Sequence, residues 1–165
     1  MKNKPMNQSI VISAEMRILA DYLEENCPGI CFCITEKGDN LIIEVAKSEL
    51  DTMVTALQLK YDNVAPLKLA YPMLSYLHHF ILVKPMVTEA PIISMDGVVV
   101  PTIEKTMVDL LSDKEYTVDG QETNMRRFLQ LMETCPIHVP RLLRYAARKG
   151  KKEEVLKLLN DKTNN

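Results

Sequence analysis

Residues 80–83 read Phe-Ile-Leu-Val, a continuous apolar run that constrains the fold more than any other part of the sequence. A strand with two apolar faces is typical of a sheet interior that is covered on both sides. Two other runs of strand-forming residues, 30–35 and 40–46, flank a polar loop with a glycine and predict a β-hairpin. Residues 62–67 predict an edge strand, because Pro66 lacks the N–H that a central strand donates.

Helical periodicity surrounds these strands. Ser13 and Ser48 are the expected N-caps of the first two helices, and Asp51 is placed to reach back toward Ser48 as in a capping box. A valine-rich strand then leads directly into a helix capped by Thr102, and the chain is predicted to be helical from Gln121 onward. The predicted fold class is therefore α/β (α+β), with a mixed β-sheet packed with helices and followed by a helical C-terminal unit.

The length of 165 residues predicts a single domain, over residues 13–162, after a flexible tail at residues 1–12. No apolar run approaches the roughly 18 to 20 residues that span a bilayer, and the N-terminus has no secretion signal, so we expect a soluble cytoplasmic protein. With five glycines the chain has no G-x-G-x-x-G, P-loop or G-x-S-x-G pattern. We therefore predict no cofactor and no catalytic residues.

The four cysteines favour reduced core thiols over a metal site. Cys31 and Cys33 lie two apart on a predicted strand, too close along it for an ordinary disulfide. A zinc site would have to join these cysteines and Cys27 to the distant Cys135 and His138, and that spacing matches no standard finger or ribbon. No metal ligand is predicted.

Metal-dependent nucleases have an acidic residue before a strand that bears Glu-x-Lys. The closest pattern in this sequence is formed by Asp39, Glu44 and Lys47. Here two residues separate Glu44 from Lys47, so their side chains would point to opposite faces of a strand. A divergent metal-dependent nuclease or nucleic-acid-binding domain is the alternative function. The adjacent His78 and His79 should also point to opposite faces, so we expect one to pack and the other to face solvent.

Charge is unevenly distributed along the chain. Residues 1–120 carry 10 Lys and Arg against 17 Asp and Glu, a net −7, whereas residues 121–165 carry 10 against 5, a net +5. Such asymmetry permits docking to an acidic protein and also contact with phosphates, but few aromatic residues accompany the arginines. The candidate partner-binding residues lie in loop 84–91 and the C-terminal helices: Lys84, Glu89, Arg126, Arg127, Arg141, Arg144, Arg148 and Lys149.

The strand-to-helix segment 98–111 reads VVVPTIEKTMVDLL. It resembles the C-terminal domain of AbiEi-like antitoxins, in which a hydrophobic strand runs into V-P-T-x-E-K-x-x-V-D-L. The i, i+4 spacing of Lys105 and Asp109 predicts a surface ion pair. The matching motif residues are Pro101, Thr102, Glu104, Lys105 and Asp109. Further similarity to that family lies in segments 42–47, 59–64, 81–91 and 143–150.

This resemblance implies a non-catalytic domain of a type IV toxin-antitoxin, or abortive infection, system. Antitoxins of the family counter a nucleotidyltransferase-like toxin, and they usually carry an N-terminal winged helix that reads operator DNA. Here a tail and one helix precede Cys27, which is too little for a winged helix of roughly 60 to 80 residues. We therefore expect a domain that binds a protein partner, such as a nucleotidyltransferase-like toxin, through its basic helices and loop 84–91. Binding to nucleic acid is the less favoured alternative, and no membrane binding is expected.

Overall fold

The computed structural model describes residues 11–163, so residues 1–10 of the predicted N-terminal tail lie outside the described part. The fold is the predicted combination of a mixed β-sheet with helices, and it ends in helices. The chain forms two compact units. We call residues 11–88 with 92–101 the sheet unit, and residues 89–91 with 102–163 the helical unit. That these residues form one domain stays a prediction.

Four strands of the sheet unit form a mixed sheet in the order β1-β2-β4-β3. β1 and β2 are the predicted antiparallel hairpin, whereas β4 runs parallel to both β2 and β3. The elements of this unit are α1 Ala14–Asn26, β1 Phe32–Lys37, β2 Asn40–Val45, α2 Leu50–Gln58, β3 Val64–Pro66, α3 Leu67–Ala70, β4 Ile81–Pro85, β5 Ile92–Met95 and β6 Val98–Pro101.

Strand β4 lies between β2 and β3, and its first three residues, Ile81 to Val83, are buried. This confirms the interior strand that the apolar run predicts. Leu82 is the register partner of Ile42 on β2, and both pack against Leu67 and Ala70 of α3. The prediction for Pro66 is also confirmed, because it lies in β3, at the edge of the sheet, where a missing N–H does not interrupt a ladder.

The first helix begins as predicted, and the second does not. Ser13 caps α1, since its side chain accepts a hydrogen bond of 3.2 Å from the N–H of Met16. The prediction that Ser48 caps α2 is wrong. Ser48 lies inside a 3-10 turn, Lys47–Glu49, so Glu49 takes the N-cap position of α2 and forms no capping hydrogen bond through its side chain.

Strands β5 and β6 form a separate antiparallel hairpin in the sheet unit. Its turn residues, Asp96 and Gly97, have φ angles of 51° and 81°. Two successive positive φ values match the right-handed twist of the paired strands, and Gly97 adopts its value without steric cost. β6 then leads the chain directly to Thr102.

The helical unit contains five helices: α4 Ile103–Ser112, α5 Lys114–Thr117, α6 Gln121–Thr134, α7 Val139–Arg148 and α8 Lys152–Thr163. α4 packs against both α6 and α7, and α7 packs against α8. Phe128 of α6, Leu142 of α7 and Val155 of α8 are completely buried. Over residues 11–163, no helix is long and apolar enough to span a bilayer.

Candidate functional site

Helix α4 turns its polar motif residues inward. Thr102 caps the helix as predicted, because its side-chain oxygen accepts a hydrogen bond of 3.3 Å from the N–H of Lys105. The backbone N–H and the hydroxyl of Thr102 both donate to the carbonyl of Pro91, at 3.1 and 3.0 Å, which ties segment 89–91 to the start of α4. Glu104, Lys105 and Asp109 follow, and all three are buried.

Asp109 is the acceptor that three neighbouring groups share. Its Oδ2 lies 2.5 Å from Nζ of Lys105, one turn earlier on α4. The hydroxyl of Tyr145 donates to Oδ1 at 2.6 Å, and Nζ of Lys149 lies 3.4 Å from the same oxygen. Lys149 also pairs with Asp113, directly after the end of α4. Both lysine Nζ atoms lie within 5.8 Å of the centroid of the Tyr145 ring, which places them in cation–π range.

Contacts of this kind between α4 and α7 recur about once per helical turn. Arg141 Nη1 lies 2.9 Å from Glu104 Oε1 at the start of α7, and the pairs of Tyr145 and Lys149 follow at four-residue intervals. Side chains four residues apart share one face of a helix, so the faces of α4 and α7 match over two turns. We call this set the α4–α7 ladder; its members are Glu104, Lys105, Asp109, Asp113, Arg141, Tyr145 and Lys149. Its three acidic and three basic groups balance in charge.

The prediction that Lys105 and Asp109 form a surface pair is wrong. The two side chains do pair, but they are only 1% and 5% exposed, because α7 packs on this face of α4. The ladder residues Asp113 and Tyr145 were not among the predicted site residues. Their signal in the sequence is the four-residue spacing from Lys105 to Asp113 and from Arg141 to Lys149, which would have indicated two matching polar faces.

A second set of basic residues lies on the exposed side of α7. Arg141, Arg144 and Arg148 are spaced i, i+3 and i+7, which places them along one face of the helix, and all three are exposed. We call them the arginine stripe. Arg141 pairs with Glu104 and Arg148 pairs with Glu89, both within the helical unit. Arg144 forms no ion pair with any of residues 11–163.

The remaining candidate partner-binding residues do not join this stripe. Lys84 belongs to strand β4 and not to the loop after it, and its Nζ lies 3.8 Å from Oε1 of Glu44 on the neighbouring strand. Arg126 and Arg127 are exposed on α6. Arg126 lies 3.5 Å from Glu122, and Arg127 lies 3.3 Å from Asp119. Most of the basic residues that the sequence singles out are therefore already paired within the chain.

The alternative nuclease residues are not brought together. Asp39 precedes β2 and Lys47 follows it, so they lie beyond opposite ends of a strand that is about 20 Å long at roughly 3.3 Å per residue. Glu44 is buried near the end of β2, beside Lys84. Among residues 11–163, no group of three His, Cys, Asp or Glu side chains is arranged to hold a metal ion.

Asp39 contacts both histidines of the loop before β4. Its Oδ2 lies 3.0 Å from Nδ1 of His78 and 3.7 Å from Nε2 of His79. Desolvation raises the pKa of Asp39, but the hydrogen bond from His78 and the charges of the two histidines outweigh it and lower the pKa below its usual value. The prediction that one histidine packs is wrong. Both are exposed, because His79 adopts a φ of 58° and the segment is a loop instead of a strand.

All four cysteines are free thiols, but their burial differs. Cys27, Cys33 and Cys135 are buried as expected, whereas Cys31 is exposed. The expectation of burial is wrong for Cys31 because β1 begins one residue later, at Phe32, so the alternation of the strand does not place Cys31 beside Cys33. Burial, followed by the charge of Glu49, raises the pKa of the Cys27 thiol.

Thiol labelling of the native protein should therefore modify one cysteine quickly. We expect 5,5′-dithiobis(2-nitrobenzoate) to react with Cys31 in the folded state and with the three buried thiols after unfolding, since reactivity requires both exposure and a thiolate. Absorbance at 412 nm follows the reaction. The Cys31→Ser variant is the control, and a fast phase that persists in this variant would contradict the assignment.

The chain matches a known protein family. A family model described as a family of unknown function (DUF6577) matches residues 10–165. No curated protein and no solved structure matches the chain. Because the matched region spans nearly the whole sequence, the chain belongs to the family of unknown function DUF6577.

Proposed function

We propose that this protein is a non-catalytic, antitoxin-like domain that binds a protein partner in the cytoplasm, and that the partner is a nucleotidyltransferase-like toxin. The observation that carries the proposal is the arginine stripe. It is an exposed basic face on α7, and its central residue, Arg144, forms no ion pair with residues 11–163. Arginine is enriched at protein interfaces because its planar guanidinium binds carboxylates through two parallel hydrogen bonds.

The ladder supports this proposal by giving the antitoxin-like motif a structural role. Glu104, Lys105 and Asp109 are buried and paired within the helical unit. The same contacts hold α7 through Arg141, which also belongs to the stripe, and through Tyr145 and Lys149, which directly follow Arg144 and Arg148 in the sequence. A motif that fixes one face of α7 also fixes the direction in which the adjacent face presents its arginines.

The segment before the motif adds a second charged group to the proposed surface. Glu89 is exposed, and it contacts Arg148 in the stripe, so segment 89–91 lies beside α7 in the helical unit. Lys84, by contrast, is paired with Glu44 on β4. The proposed surface therefore comprises the arginine stripe and Glu89, and it excludes Lys84, Arg126 and Arg127.

Co-production with the products of the adjacent genes tests the function. We expect the tagged chain to form a stable complex with a nucleotidyltransferase-like neighbour in size-exclusion chromatography, and to relieve the growth arrest that this neighbour causes. Arg126→Glu is a control variant, because Arg126 is exposed on α6 and lies outside the proposed surface. This variant should still form the complex and relieve the growth arrest. The proposal is refuted if the chain forms no complex with this neighbour and does not relieve its growth arrest.

A further inference from the structure

Glu89 has an unusual backbone conformation for its residue type. Its φ angle of 60° lies in the left-handed region, which residues other than glycine, asparagine and aspartate seldom adopt. In this conformation the carboxylate of Glu89 contacts the guanidinium of Arg148, 59 residues later in the chain. Such conformations persist only where the surrounding structure holds them, and they cluster at functional sites, so the contact between Glu89 and Arg148 is a candidate for a functional role.

The arginine stripe is occupied at both ends and open in the middle. Glu104 pairs with Arg141 at one end, and Glu89 pairs with Arg148 at the other. At 1.5 Å per residue, Arg144 lies about 4.5 Å along the helix axis from Arg141 and about 6 Å from Arg148. The two ends therefore already show which chemistry the stripe binds, namely carboxylates.

We propose that the arginine stripe is a docking site for a carboxylate-rich segment of a partner protein, and that Glu89 is an internal competitor that this segment displaces from Arg148. The inference rests on the proposed function for its biological setting, and it adds the chemistry of the partner. The partner segment binds Arg144 directly. It then takes the place of the Glu89 carboxylate on Arg148, and the backbone at residue 89 is free to leave the left-handed region.

The two end pairs differ in how readily they can open. Glu104 is buried in the ladder, so opening its pair with Arg141 would leave a buried carboxylate without that partner. Glu89 and Arg148 have side chains that are 61% and 40% exposed, and an exposed pair contributes little net stability because water competes for both partners. Glu89 is thus the carboxylate that an incoming segment can replace.

A protein carboxylate fits this surface better than a nucleic acid does. A phosphate backbone would bring continuous negative charge against the stripe, where Glu89 already lies exposed. Single-strand binders also require aromatic platforms, and the aromatic residue of α7, Tyr145, is buried with its hydroxyl on Asp109. Separate carboxylates match separate guanidinium groups through two parallel hydrogen bonds each.

Fluorescence anisotropy with a short, fluorescein-labelled, glutamate-rich helical peptide tests the site directly. We expect Arg144→Glu to weaken binding at least about tenfold, whereas Arg126→Glu, an exposed arginine on α6, should change it less than about twofold. Glu89→Gln should tighten binding by about two- to fivefold, the range that an exposed ion pair spans. Glu89→Gly, which suits the left-handed backbone and also lacks the carboxylate, should act in the same direction.

The direction in which the Glu89 variants change the affinity for the peptide tests whether Glu89 competes for Arg148. Weaker or unchanged peptide binding in Glu89→Gln and Glu89→Gly would overturn it, provided that circular dichroism shows both variants folded. Equal losses in Arg144→Glu and Arg126→Glu, no peptide binding at all, or tighter binding of a mixed-sequence DNA duplex than of the peptide would overturn the docking site. A cognate partner that binds Arg144→Glu normally would also overturn the site and leave the proposed function intact. If the peptide binds as expected but no complex forms with a cognate partner, only the proposed function is refuted.

Discussion

Asp109→Ala is expected to lower the free energy of unfolding by about 3–5 kcal/mol, the usual cost of removing one partner from a buried ion pair. Asp109 accepts contacts from Lys105, Tyr145 and Lys149, and its own side chain is only 5% exposed. The substitution leaves the ammonium of a completely buried lysine beside an alanine. Urea unfolding followed by circular dichroism measures the change.

The pair of Glu122 and Arg126 on α6 provides a matched control. It has the same i, i+4 spacing as the pair of Lys105 and Asp109, but its side chains are 91% and 76% exposed. Glu122→Ala should therefore cost less than about 1 kcal/mol. The double variant Lys105→Met with Asp109→Leu should recover part of the loss, because apolar residues can replace a buried pair. Equal costs for Asp109→Ala and Glu122→Ala would refute the central role of Asp109.

The elements of the fold were largely predictable because they depend on local patterns. The run at residues 80–83 predicted an interior strand, and β4 is one. Thr102 was the predicted cap of the helix after β6, and its side chain accepts the capping hydrogen bond. The prediction that Ser48 caps α2 failed because the sequence shows which residues can cap a helix, but not whether a 3-10 turn precedes the helix.

The candidate site was less predictable because its contacts are distant in sequence. Helical periodicity places Lys105 and Asp109 on one face of α4, but it does not state which helix covers that face. The covering residue, Tyr145, is 36 positions away from Asp109, and Arg148 is 59 positions away from Glu89. Only the packing of α7 on α4 decides that the first of these contacts is buried.

Loop conformation limited prediction in the same way. An extended segment would separate His78 from His79, yet the φ of 58° at His79 turns both toward Asp39. The φ of 60° at Glu89 likewise brings its carboxylate to Arg148. Outside patterns such as the Asp-Gly turn, positive φ values at residues other than glycine are uncommon, so the residue types at positions 79 and 89 do not indicate them.

Glu44→Gln is expected to lower the free energy of unfolding by about 3 kcal/mol, near the lower end of the cost of breaking a buried pair. The substitution keeps the size of the side chain and removes the negative charge beside Lys84, the register partner of Glu44 on β4. The Glu44 and Lys84 side chains are only 5% and 12% exposed, so water compensates the lysine incompletely. Thermal and urea unfolding both report the loss.

This variant also separates the two functions that the sequence allowed. If Glu44 held a magnesium ion, Glu44→Gln would abolish metal-dependent cleavage and relieve repulsion between acidic ligands, so the metal-free protein would keep or gain stability. If Glu44 pairs with Lys84 instead, the variant should be less stable, and magnesium should not change its melting temperature. Lys47→Gln is the matched control, because Lys47 is exposed beyond the end of β2 and its loss should leave unfolding unaltered. A stable Glu44→Gln variant that has lost cleavage of nucleic acid would favour the nuclease over the binding domain.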